Sequence, residues 1–96
     1  LSIPDGTPES EYGPIVERAA KAALARKANV LFIVQAFAPH QATPDAQAQA
    51  LTDVTDHLAA GVAAHIEKAG AQSIQIEMHA VTDPSATKPF VRVDVR

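Results

Sequence analysis

The feature that most constrains this chain is a continuous apolar run, Val30-Leu31-Phe32-Ile33-Val34, followed by a turn, Ala38-Pro39-His40-Gln41, and then a long alanine-rich helical segment. A strand with one wet face alternates apolar and polar residues. Here both alternating sets carry large apolar side chains, which predicts a central strand covered on both sides. We read it over Asn29–Ala38. One face holds Val30, Phe32, Val34 and Ala36, and the other Leu31, Ile33, Gln35 and Phe37. Helices cover one face. The second, with Leu31, Ile33 and Phe37, is where a partner subunit or neighbouring domain would sit, with a covering of loops as the plainer alternative.

The helical segment has clear ends. Thr43-Pro44-Asp45 supplies a cap, a proline at the first helical position and an acid in the first turn. Leu51, Val54, Leu58, Val62, Ile66 and Ala69 recur at three- or four-residue spacing, Lys68 sits in the last turn, and Gly70 is the stop. The other elements pack around this strand–loop–helix unit. Leu1-Ser2-Ile3 reads as a short strand ending in the turn Pro4-Asp5-Gly6. Tyr12, Ile15, Val16, Ala19, Ala23 and Leu24 predict a helix over about 10–27, capped by Thr7 or Ser10 and with Pro14 in its first turn. Ser73–Val81 alternates Ile74, Ile76, Met78 and Ala80 against Gln75, Glu77 and His79, a strand with one wet face. A polar loop, Thr82–Pro89, leads to a closing strand over Phe90–Arg96. The order is β-α-β-α-β-β, an α+β two-layer sandwich.

Ninety-six residues make one domain with a modest core, and about twenty alanines mean that the core rests on helix–sheet packing with few aromatics. A net charge of -3 argues against a nucleic-acid partner, which requires a clustered excess of Lys and Arg. Lys21, Arg26 and Lys27 form the one basic cluster, at a helix end where cations meet the negative dipole terminus. Without cysteine there are no disulfides, thiolate metal sites or cysteine nucleophiles. No run approaches the ~20 apolar residues of a membrane span. The start at Leu1, without Met, suggests a processed or trimmed piece.

The element order and a spaced set of landmarks resemble the OmpA/MotB-like (peptidoglycan-associated) domain of bacterial envelope proteins. Val54-Thr55 stands where that family has Leu-Ser, Val62 and Ile66 where it has Val and Leu, and Gly70 at the helix stop. The closing Val91, Val93 and Val95 stand where it has Arg-Arg-Val-Glu-Ile. The resemblance implies a mixed four-stranded sheet of order 1-4-2-3, strand four antiparallel, with two helices on one face. It also implies a ligand site after strand two, where the family writes Gly-His-Thr-Asp and its Asp binds the peptide stem. The matching positions here are Ala36-Phe37-Ala38-Pro39. A helix Arg that pairs with the diaminopimelate carboxylate is matched here by Leu58, before Ala59. The family's charged clamp is therefore missing, and Pro39 with Leu58 cannot replace a charge-assisted bidentate pair.

The four histidines are the side chains that titrate near neutral pH. His57 follows Asp53 by one helical turn, which suits a surface contact better than a metal site lacking a third ligand. His65 falls in the apolar stripe of the second helix, where the family often has Tyr, and reads as a packed aromatic substitute with its tip exposed. His79 lies beside Glu77 on a wet strand face. His40, in the loop after the central strand, is the most suggestive. With Gln41, and with Asp83 from the loop after strand three, it forms the candidate binding set. No nucleophile motif, phosphate loop or pair of catalytic carboxylates is present, and no cofactor is expected.

The sequence thus reads as a non-enzymatic, periplasmic envelope interaction or scaffold domain, tethered by a segment outside this chain. Its partner would be another envelope protein or a second copy, met through the Leu31/Ile33/Phe37 face or an exposed edge strand. Two other readings stand beside it. One is altered cell-wall binding through His40, Gln41 and Asp83. The other is a trimer with small-acid sites between subunits, drawing on His79, Arg92 and Arg96.

Overall fold

A computed structural model describes residues 1–96. Its elements are β1 (Ser2–Pro4), α1 (Glu9–Arg26), β2 (Phe32–Ala38), α2 (Pro44–Val54), a π-helical turn (Thr55–Ala59), α3 (Ala60–Lys68), β3 (Ile76–Thr82) and β4 (Phe90–Val95). The segment from α2 to α3 runs as one continuous helix, so two helical rods cover one face of the sheet. The strand order is β1-β4-β2-β3. β2 runs parallel to β3, and β4 runs antiparallel to both β1 and β2. The α+β class, the mixed sheet and its order agree with the sequence expectation.

The core lies between the sheet and the rods. Phe32, Val34, Ala36 and Ala38 of β2, with Val91 of β4, meet Val16 and Ala20 of α1 and Val54, Leu58, Val62 and Ile66 of the second rod. Burying each of the larger side chains contributes roughly 1.5–3 kcal/mol. The helix starts as expected at Thr43, whose hydroxyl accepts from the Ala46 N–H at 3.1 Å. It ends as expected at Gly70, whose φ of +122° suits glycine and whose N–H donates to the Glu67 carbonyl.

The π turn has a cause in the sequence. Val54, Leu58, Val62 and Ile66 recur every fourth residue, and four residues overshoot a 3.6-residue turn by about 40° per step. One wider turn takes up that drift and keeps the whole series on the sheet. The Leu51 carbonyl accepts from both the backbone N–H and the hydroxyl of Thr55, the latter at 2.8 Å.

Several local expectations give way. Pro14 lies in the body of α1, beyond the first turn. The N-cap is Pro8, with no side-chain cap; the Thr7 hydroxyl closes the preceding turn on the Pro4 carbonyl at 2.7 Å. Ser73–Gln75 forms a 3-10 turn before β3, and the Gln75 amide, expected on a wet strand face, donates to the carbonyls of Ala28 and Val30. β3 is exposed on both faces, because the helices end their cover at β2 and leave the edge strand bare.

His65 joins the helical rods. Gly13 gives it room, since a Cβ there would come within 2.7 Å of the imidazole. Its ring meets Tyr12 edge-on with centroids 5.7 Å apart. Nδ1 lies 2.6 Å from a Glu17 carboxylate oxygen, and Lys68 stands 3.9 Å from the same oxygen. A carboxylate only accepts, so Nδ1 carries the proton. This hydrogen bond from His65 is the main cause that holds the Glu17 carboxyl below its ordinary range.

Two outcomes follow for stability. Gly61→Ala normally improves a helix interior by up to about 1 kcal/mol. Here the added Cβ would strike the Tyr12 hydroxyl, so thermal denaturation should show a loss, relieved in a Tyr12→Phe background. Glu17 titrates lower when folded, so its contribution is complete above the ordinary glutamate pKa of about 4.3. It is lost as pH falls through the depressed value. Urea midpoints of Glu17→Gln should therefore lie below those of the native chain at about pH 6 and converge with them as pH falls through the depressed value.

Candidate functional site

Four segments converge at the end of the sheet where β2 finishes. They are the turn after β1, the loop after β2, the middle of the second rod and the end of the β3–β4 loop. Between them lies an open pocket of about 530 Å³, lined by Asp5, Pro39, Gln41, Ala50, Asp53, Val54, His57, Thr87 and Pro89. The loop after β2 is braced by glutamines. Gln47 accepts from the Gln41 N–H at 2.9 Å and donates to the Pro39 carbonyl at 3.2 Å, and the Gln41 side chain donates to the same carbonyl. The Asp5 N–H donates to the Pro89 carbonyl at 3.0 Å, which ties two of the walls together.

The pocket has carboxylates but no Lys or Arg in its lining. Asp53 accepts from Gln49 at 2.7 Å, one turn earlier on the helix, and does not bond His57. Pro39 lines the pocket, while Leu58 is 2% exposed and belongs to the core. The helix residues that line the pocket beside Val54 are Ala50, Asp53 and His57. Sequence reasoning treated His57 as surface decoration. It stands one helical turn after Asp53, and that spacing was the signal that could have placed both in one pocket wall.

The other candidates lie nearby. His40 and Gln41 line an adjoining depression of about 350 Å³ with Ala42, Thr43, Pro44, Gln47 and Thr82. His40 is exposed and makes no side-chain hydrogen bond. Asp83 does not line it. Its carboxylate accepts from the Ser85 N–H at 3.0 Å and the Ser85 hydroxyl at 2.7 Å, and these bonds hold it below the usual aspartate range. Asp83 therefore serves its own turn, and its N–H anchors that turn to the Ala38 carbonyl at 2.9 Å. The structure brings His40 and Gln41 together and sets Asp83 to one side.

The face of the sheet opposite the helices carries Ile33, Gln35 and Phe37, and no second layer covers it. Ile33 is only 6% exposed, between Glu77 and Asp94 in the strand register. Leu31 precedes β2 and is half-buried, exchanging backbone hydrogen bonds with Arg96. Phe37 stacks on Phe90 with centroids 4.7 Å apart. The Arg92 guanidinium lies 5.1 Å over the Phe37 ring, donates to Gln35 at 2.8 Å and to Asp94 at 3.2 Å. The side chains of this face thus partly cover its own apolar surface. His79 stands 3.7 Å from Glu77 on the edge strand. No group of three or more His, Asp or Glu side chains is placed to hold a metal, and no helix is long and apolar enough to cross a membrane.

No family model matches the sequence, and no curated protein matches it either. Among solved structures the chain is similar to the OmpA-like domain of FopA1 from Francisella tularensis subsp. tularensis SCHU S4. The TM-score is 0.68 and the identity 12%, and the match covers 99% of this chain and 70% of that one. The chain has an OmpA-like fold.

Leu58 and His57 should respond in opposite ways to the same substitution. Leu58→Arg forces an unpaired charge into the core and should cost several kcal/mol or unfold the chain. His57→Arg is exposed and should stay within about 0.5 kcal/mol of the native chain. Chemical denaturation of both variants checks the placement.

Proposed function

We propose that this chain is a non-enzymatic bacterial cell-envelope domain, acting as an interaction or scaffold module without the conventional peptidoglycan clamp. The observation that carries the reading is the chemistry of the β2 end of an OmpA-like fold. Pro39 stands in the pocket wall, Leu58 is withdrawn into the core, and no Lys or Arg lines the space. A carboxylate-bearing peptide would meet Asp5 and Asp53 there, and like charges oppose binding. The partner is another envelope protein or a second copy, engaged through the sheet face of Leu31, Ile33 and Phe37. Its location would be periplasmic, with tethering supplied by a segment outside this chain.

A second reading keeps cell-wall peptide binding but moves it to the loops of His40, Gln41 and Asp83. What favours it is the depression at His40 and Gln41, whose side chains offer donors and acceptors to a peptide backbone.

Sedimentation with purified peptidoglycan sacculi separates the two. The native chain should remain in the supernatant, and Pro39→Asp with His57→Arg should pellet at least in part, because that pair rebuilds a carboxylate and a guanidinium at the pocket. Native chain in the pellet, released by His40→Ala, would support the second reading and overturn the first.

A further inference from the structure

We infer that β3 is a self-association edge, through which two copies of this chain pair antiparallel in a register centred on Met78. This inference does not depend on the envelope reading.

The sheet has two edges, and they differ. β1 spans three residues and ends in Pro4, which blunts it. β3 spans seven residues, Ile76–Thr82, with no proline or lysine. One side of it bonds β2, and the other leaves its backbone groups without a strand partner. Met78 and Val81 are 41% and 40% exposed on it. An unblunted strand of this kind is a template for another strand.

The occupant follows from the charge pattern. Two copies related by a two-fold axis normal to the sheet keep each face on its own side. Directly opposed residues must then share a face, so only every second register is allowed. On the face opposite the helices β3 presents Glu77, His79 and Val81. Centring the pair on Glu77 sets two carboxylates against each other. Centring it on His79 sets the imidazoles against each other and leaves Glu77 against Val81. Centring on Met78 places each Glu77 opposite His79 of the other copy, twice, and Met78 opposite Met78 on the helix side. An imidazole N–H opposite a carboxylate can donate to it across the strands, whereas two carboxylates oppose each other, so this register is selected. Behind this row, β2 offers Ile33 and Gln35, and β4 beyond it Asp94 and Arg92. Each Glu77 thus lies in line with a carboxylate and each His79 with a guanidinium, and a cross-copy partner offsets both.

The chain has no cysteine, which allows a clean test. Directly opposed antiparallel residues have Cα atoms about 4.5–5.5 Å apart, within the range of about 4.4–6.8 Å that a disulfide spans. Met78→Cys should give a crosslinked dimer under mild oxidation, whereas Ala80→Cys, on the same face but not opposite itself, should not. Adding His79→Glu should slow Met78→Cys crosslinking about tenfold. Exchanging the pair as Glu77→His with His79→Glu should restore it. Crosslinking no faster at position 78 than at position 80 would overturn the pairing. Indifference to His79→Glu would overturn the charge-selected register.

Discussion

The structure depends on β2 being hydrogen-bonded on both sides while only one of its faces meets helices. Paired with β3 in parallel and β4 in antiparallel, β2 has its backbone satisfied along its length. That frees its side chains to act as the floor of the core. Val34, Ala36 and Ala38 leave essentially no surface in water. The small alanines let the rods approach closely, and the four-residue apolar series of the second rod then has to be kept in phase. The π turn, Thr55–Ala59, is the consequence.

The end of β2 carries the candidate pocket. The loop after β2 is held rigid by Gln41 and Gln47 on the Pro39 carbonyl, so the pocket is preformed. What it offers is carboxylate, amide and imidazole, while the Arg92 guanidinium is engaged on the other face by Gln35 and Asp94. Electrostatics in such a cleft discriminates between partners more than it sets raw affinity. A space with two carboxylates and no Lys or Arg is poorly suited to a carboxylate ligand, whatever its shape.

Much of the fold was legible in the sequence because its signals are local and strong. The double-sided apolar run marked β2 as central, Thr43-Pro44 and Gly70 fixed the ends of the second rod, and alternation marked β3 and β4. The resemblance supplied the sheet order. Less legible were features set by packing between distant segments. Gln75 sits in an alternating run and reads as wet, yet its amide satisfies two carbonyls from the loop before β2. The fit of His65 into the space at Gly13 joins residues far apart in the chain. Pro14 was expected in a first turn because an interior proline costs a hydrogen bond, and tertiary contacts of α1 override that preference. Pro39 and Gln41 read in sequence as part of the turn after the central strand, and they follow β2 in the structure. Asp83 reads in sequence as the start of a turn before Pro84 and as a candidate neighbour of His40, and the structure commits its carboxylate to Ser85 within that turn.

The central proposal is that a chain of OmpA-like fold works here without a carboxylate–guanidinium clamp. The most direct measurement is an amide NMR titration of the isotopically labelled chain with a soluble diaminopimelate-containing stem peptide. The account predicts no saturable shift at Gln41, Asp53, Val54 or His57 up to millimolar peptide. A saturable response confined to those residues would contradict it, and would mean that this pocket recognises the peptide through groups other than a carboxylate–guanidinium pair.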